Sequence, residues 1–175
     1  LVPLDQAIPA HLVGNMWAQD WSQLYPLMIP APKQPSLDVT AALIDKKYKP
    51  LSLTKLAESF FISLGFEPLP PTFWTRSLFT KPVNRDVVCH ASAWDVHMNN
   101  DLRLKMCIKI DHEDLITLHH ELGHHYYYQS YYTAPLLLQE GANDGFHEGI
   151  GDTLALSVTP SYLYKQGILG ESSEH

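Results

Sequence analysis

Thirteen prolines divide this 175-residue chain into short segments, and proline interrupts helices and central strands alike. Residues 14–27 read as a helix with Trp17, Trp21 and Leu24 on one face. Pro26, Pro30, Pro32 and Pro35 then mark a loop. Asp38 is placed to N-cap a helix reaching about Tyr48, and Pro50 ends it. Ser52 or Thr54 starts the next, with Leu53, Leu56, Ala57, Phe60 and Phe61 as its apolar stripe and Gly65 at its C-terminal cap. Pro68, Pro70 and Pro71 form a second loop before a short helix around residues 73–78.

The long proline-free stretch that follows begins differently. Leu102, Leu104, Met106, Ile108 and Ile110 alternate with Arg103, Lys105, Cys107 and Lys109, which is the period of a strand. With Val87-Val88 upstream and Asn99-Asn100-Asp101 at the turn, residues 86–110 read as an antiparallel hairpin. Its strands would bring Cys89 and Cys107 face to face. Spacing alone leaves that pair equally a disulfide or two buried thiols, and facing strands favour the bridge. From Asp111 the pattern is helical again. Asp111 is placed to N-cap, with Asp114 at the third helical position, and the helix runs to about Tyr132, before Pro135. A loop with Gly141, Asn143 and Gly145 precedes a last helix at about 144–158. The expected fold class is mainly α with one small antiparallel β-hairpin near residues 86–110.

The first of these two late helices carries His119-His120-Glu121-Leu122-Gly123-His124-His125, which contains His-Glu-x-x-His in a single register, His120 to His124. Residues i and i+4 project from one helical face, so both imidazoles can bind one Zn²⁺ with Glu121 beside it. A solvated polar face is the bland alternative, and in a chain with ten histidines the motif alone does not exclude it. The next helix weighs against it. A catalytic zinc takes three protein ligands and an open position. A third histidine six residues after His124 is excluded, because position 130 is Ser. Glu148 on the following helix fills the role, and Asp152, one turn on, can accept an N–H from a ligand imidazole and fix its tautomer. An exposed acidic face would explain Glu148 and Asp152 less well, since Ile150, Leu154, Leu156 and Val158 make the helix otherwise apolar. Glu121 is then the general base that deprotonates the attacking water and returns the proton to the leaving amine. An open fourth position disfavours a purely structural zinc site.

Composition narrows the partners. The chain is 45% hydrophobic, 18% charged and carries a formal net charge of −7, which permits a sizeable core and argues against a nucleic-acid footprint. No apolar run reaches the ~18 residues of a membrane span.

The stretches Gly14-Asn15-Met16-Trp17-Ala18-Gln19, Cys89-His90-Ala91-Ser92-Ala93-Trp94-Asp95, His120-Glu121-Leu122-Gly123-His124 and 140–152 (EGANDGFHEGIGD) resemble the angiotensin-converting enzyme family of zinc peptidyl-dipeptidases. The resemblance runs over nearly the whole chain, and four ordered motifs are far more specific than the zinc motif alone. It implies a helical zinc-peptidase scaffold acting on peptides with a free C-terminus. It assigns His90 to the substrate backbone, Ala91 to a main-chain pairing with an extended peptide, and Gln19 to the substrate carboxylate. Asp114 and Thr117 match positions lining the subsite for the last substrate residue. Read without the resemblance, Gln19 is an exposed helix residue and Asp114 a charge at a helix N-terminus. Cys89 and Cys107 match a family disulfide, which implies an extracellular, secreted or otherwise oxidising compartment, the periplasm in a bacterium.

Asp144 stands where relatives usually have proline, and Tyr126–Tyr128 and Gly149 also depart from the commoner pattern. The family domain is several times longer than this chain. Its later part supplies the histidine and tyrosine that stabilise the oxyanion, the lysine that grips the substrate carboxylate, and most chloride ligands, so chloride is implied by the resemblance without ligands here. Residues 1–175 are therefore expected to be part of one larger catalytic domain whose remainder is a partner. The alternative is a catalytically incomplete zinc-binding or peptide-binding module.

Overall fold

In a computed structural model that describes residues 7–13, 21 and 37–170, the chain forms two units, Leu1–Leu37 and Asp38–His175. The expected helix at 14–27, and Gln19 with it, lies outside the described residues. Among the described residues of the first unit, Ala10–Leu12 forms a 3-10 turn. The second contains everything discussed below.

Capping chemistry sets the helix starts. Helix α1, Val39–Asp45, begins where the Asp38 carboxylate accepts from Ala41 N, satisfying one orphan donor of the first turn. Helix α2, Pro50–Ser63, begins at the proline expected to precede it. Proline is well suited to the first helical position, where its missing N–H costs nothing, and Ser52 Oγ accepts from Lys49 N at 2.8 Å. The expected start at Ser52 or Thr54 is thus two to four residues late. Gly65 follows α2 at φ +96°, the left-handed cap that glycine adopts cheaply. Helix α3, Pro71–Arg76, repeats the proline start.

The hairpin is shorter than the alternation implies. Strands β1, Ser92–Val96, and β2, Asp101–Lys105, pair antiparallel from Ser92↔Lys105 to Val96↔Asp101. Beyond Lys105 the chain leaves β1: Met106 N and Ile108 N donate to Leu78 O and Phe79 O. The alternation therefore continues because a second partner takes over. Cys89 and Cys107 lie just outside the paired strands and are joined by a disulfide, with Cα atoms 5.1 Å apart. Asp101 accepts from Arg76 at 2.8 Å and Arg103 at 2.6 Å, fastening β2 to α3.

Helix α4, His112–Tyr131, starts where Asp111 accepts from Asp114 N at 2.8 Å. The capping is not reciprocal, since the Asp114 carboxylate accepts from Lys109 N. Leu115, Leu118 and Leu122 are fully buried, against a core that includes Leu53, Phe61, Phe73, Leu102 and Leu104. Each such leucine contributes roughly 1.5–3 kcal/mol. His125, also fully buried, sits with Nδ1 2.8 Å from Glu121 O and Nε2 3.0 Å from Arg103 O, bridging α4 and β2.

Helix α5, Asp144–Ala155, is N-capped by Asn143 through Phe146 N. It ends at Ala155, three residues before the expected Val158. Helix α6, Pro160–Lys165, another proline start, was not expected from the sequence. Ascending positions on α4 meet descending positions on α5, as His120 with Asp152 and His124 with His147 show, so the two helices are antiparallel.

Candidate metal centre

Two glycines let α4 and α5 approach closely. A Cβ on Gly123 would lie 3.0 Å from Gly151 Cα, and one on Gly151 would lie 2.9 Å from the His120 ring. At this crossing His120 and His124 face α5. Their Nε2 atoms are 3.0 Å apart. Glu148 reaches His120 Nε2 at 3.2 Å and His124 Nε2 at 3.7 Å.

The three side chains each offer one ligand atom, all within 4.8 Å of one another. A tetrahedral zinc site with bonds of ~2.0 Å has ligand-to-ligand edges of about 3.3 Å, close to the 3.0 Å between the two Nε2 atoms and the 3.2 Å from Glu148 Oε2 to His120 Nε2. The proton positions point the same way. Asp152 lies 2.9 Å from His120 Nδ1, so the Nδ1–H donates there and Nε2 presents a lone pair to the site. Burial, followed by the nearness of His120, lowers the His124 pKa to about 4, leaving its ring neutral at physiological pH. Lone pairs and a carboxylate aimed at one point are a cation's donor set, so the residues present fit a metal.

Glu121 is only 6% exposed. Burial raises its pKa, with Glu148 adding to the effect and His120, His90 and Lys105 opposing it. A carboxylate less content to be charged is a better proton acceptor near neutrality than an exposed one.

His120 and Glu121 line two adjoining cavities of about 530 and 390 Å³, which His90 and Ala91 also line. Asp114 and Thr117 open onto the larger. Glu148, His124, Tyr128 and His147 line the smaller. The structure thus places His90 and Ala91 beside all three donors in the smaller cavity, and Asp114 and Thr117 on the larger one, which His120 alone of the donors lines. His90 Nδ1 lies 2.8 Å from Ala91 O, so these two positions engage each other directly. Sequence reasoning missed the glycine crossing and the surroundings of His147, whose Nδ1 is 2.7 Å from His124 Nδ1 and whose Nε2 is 3.1 Å from the Tyr131 hydroxyl. The adjacency of His147 to Glu148 was the available signal.

A family model described as angiotensin-converting enzyme, peptidase family M2, matches residues 1–175. The chain is 50% identical over 171 residues to the angiotensin-converting enzyme of Bos taurus, covering 97% of this chain and 13% of that protein. Identity to the enzyme of Sus scrofa is 51% over 164 residues, 93% of this chain and 12% of that protein. The angiotensin-converting enzyme of Theromyzon tessulatum is 47% identical over 168 residues, 95% of this chain and 27% of that protein. The chain therefore spans well under a third of the length of each.

Proposed function

The chain belongs to the angiotensin-converting enzyme family, and from that premise we propose that it carries the metal-binding part of a zinc peptidyl-dipeptidase, which releases C-terminal dipeptides within a larger catalytic domain. The observation that supports this reading most is the meeting of His120, His124 and Glu148 beside a buried Glu121, on the floor of a cleft. Zn²⁺ bound there would supply Lewis acidity towards the scissile carbonyl and the attacking water.

The chain's own residues do the rest. Asp152 holds the His120 ring with Nε2 towards the site. Glu121 accepts a proton from the attacking water and passes it to the leaving amine, so the base of the first step is the acid of the second. His90 and the Ala91 main chain hold an extended peptide along the cleft. Asp114 and Thr117, which line the larger cavity, receive its last residue. The Cys89–Cys107 disulfide fits an extracellular or other oxidising compartment. Among the described residues no helix is long and apolar enough to cross a membrane.

Incubating the full-length protein with one peptide bearing a free and then an amidated C-terminus tests the reading. Dipeptide release from the free form alone is expected. Internal cleavage indifferent to amidation would reject it. A second reading, zinc and peptide binding without turnover, is separated by metal analysis and a cleavage assay on these 175 residues, where robust turnover rejects the binding module.

A further inference from the structure

His120 has a carboxylate to fix its tautomer, and His124 has a different partner. We propose that His147 is the positioning residue of His124, itself oriented by Tyr131, an inference that rests on reading His120, His124 and Glu148 as zinc donors.

The geometry is that of a built arrangement. His124 Nδ1 and His147 Nδ1 are 2.7 Å apart, and His147 Nε2 is 3.1 Å from the Tyr131 hydroxyl. The ring centroids of Tyr127 and Tyr128 lie 4.6 and 4.8 Å from that of His147. Gly141 leaves room for this ring, since a Cβ there would come within 2.9 Å of His147 Cδ2. The His147 ring is thus confined on several sides while both of its nitrogens are engaged.

Proton bookkeeping gives the arrangement its function. For His124 to present the Nε2 lone pair to a metal, its proton must sit on Nδ1 and be donated to His147 Nδ1. A neutral His147 then carries its own proton on Nε2 and donates it to the Tyr131 oxygen. In the reverse direction Tyr131 would donate to His147 and His147 to His124. The His124 proton would then sit on Nε2, facing Glu148 and closing the site to a cation. In the metal-binding direction His147 is the acceptor that holds the Nδ1–H tautomer of His124, the part that Asp152 plays for His120. One turn of α5 delivers a zinc donor, Glu148, and the positioner of another, His147, side by side.

The test is a Zn²⁺ competition titration against a chromophoric chelator, with visible spectra of the Co²⁺-loaded protein, for the unsubstituted full-length protein and its H124A, H147L and H147N variants. Asn places an acceptor oxygen near the position of Nδ1. H124A is expected to lose binding. H147L should weaken it about 10- to 100-fold and shift the Co²⁺ spectrum, and H147N should recover most of the loss. Wild-type affinity in H147L, with binding lost in H124A, would overturn the role of His147 alone. Equal losses in H147L and H147N with unchanged helix content would do the same. No zinc binding by the unsubstituted full-length protein, or wild-type binding by H124A, would overturn the zinc reading itself and the role of His147 with it. Independently of folding in the variants, ¹⁵N NMR of the zinc-loaded chain should show a scalar coupling between His124 Nδ1 and His147 Nδ1 across the N–H···N bond. Its absence contradicts the proposal.

Discussion

Gly123 packs directly against Gly151 where α4 crosses α5: a side-chain carbon on Gly123 would stand 3.0 Å from Gly151 Cα. The metal centre depends on that approach, because Glu148 must reach two histidines on the opposite helix. Two effects compete when Gly151 becomes alanine. Helix propensity improves by about 1 kcal/mol, whereas the new methyl meets the His120 ring at 2.9 Å, and overpacking costs about 1–3 kcal/mol. The clash is expected to win. G151A should lower the melting temperature and weaken zinc binding at least tenfold. Gly149 is the control, with nothing within 4 Å of its would-be Cβ. G149A should gain up to about 1 kcal/mol and bind zinc unchanged. A stabilised G151A with wild-type affinity would contradict the crossing argument.

Asp152 lies 2.9 Å from His120 Nδ1. D152A leaves that N–H without its acceptor and the ring free to turn. Zinc affinity is expected to fall about 10- to 100-fold, read by chelator competition, with little change in the melt of the metal-free chain, because the Asp152 side chain is 75% exposed.

These two predictions rest on residues that were legible to very different degrees. His120, His124, Glu148 and Asp152 could be read because helical periodicity puts each i, i+4 pair on one face. The caps at Asp38 and Asp111 could be read because a side-chain acceptor has few other uses at such positions. Proline ends one helix and starts another with equal ease, so Pro50 reads as a terminator in the sequence where in the fold it opens α2. Strand β2 was drawn too long because pairing with residues 78–79 preserves the alternation after β1 has ended. The roles of Gly123 and Gly151 were not legible, and that of His147 was signalled only by its place beside Glu148. They exist only once two helices cross at a given distance, and no pattern along the chain encodes that distance.

His119 offers a pH test. It is fully buried, with Nδ1 2.8 Å from Leu115 O and Nε2 3.3 Å from the Tyr162 hydroxyl. A neutral ring satisfies both contacts by donating to the first and accepting from the second. Burial lowers its pKa from 6.5 to about 4. The unfolded chain therefore takes up the proton first. The contribution of His119 is complete above pH 6.5 and is lost progressively as pH falls towards 4, by about 2 kcal/mol between pH 7 and pH 5. NMR titration of its Cε1–H should show a neutral ring at pH 5. A midpoint near 6.5 would contradict the assignment.

The disulfide closes a loop with a sequence separation of 18. Restricting such a loop in the unfolded chain is worth about 3 kcal/mol. The double substitution C89S/C107S should lower the melting temperature accordingly, and a reducing agent should destabilise the unsubstituted chain but not the variant. Equal response of both to reductant would show that the bridge does not form.

The central claim is that Glu121 moves the proton at a zinc held by His120, His124 and Glu148. Glu121→Gln keeps the size of the side chain and one acceptor oxygen and removes its basicity. In the full-length protein, E121Q is expected to retain zinc at wild-type stoichiometry while dipeptide release falls by at least the 10²–10⁴-fold contribution of general acid–base catalysis. Wild-type rates of dipeptide release from a zinc-loaded E121Q protein would contradict the account.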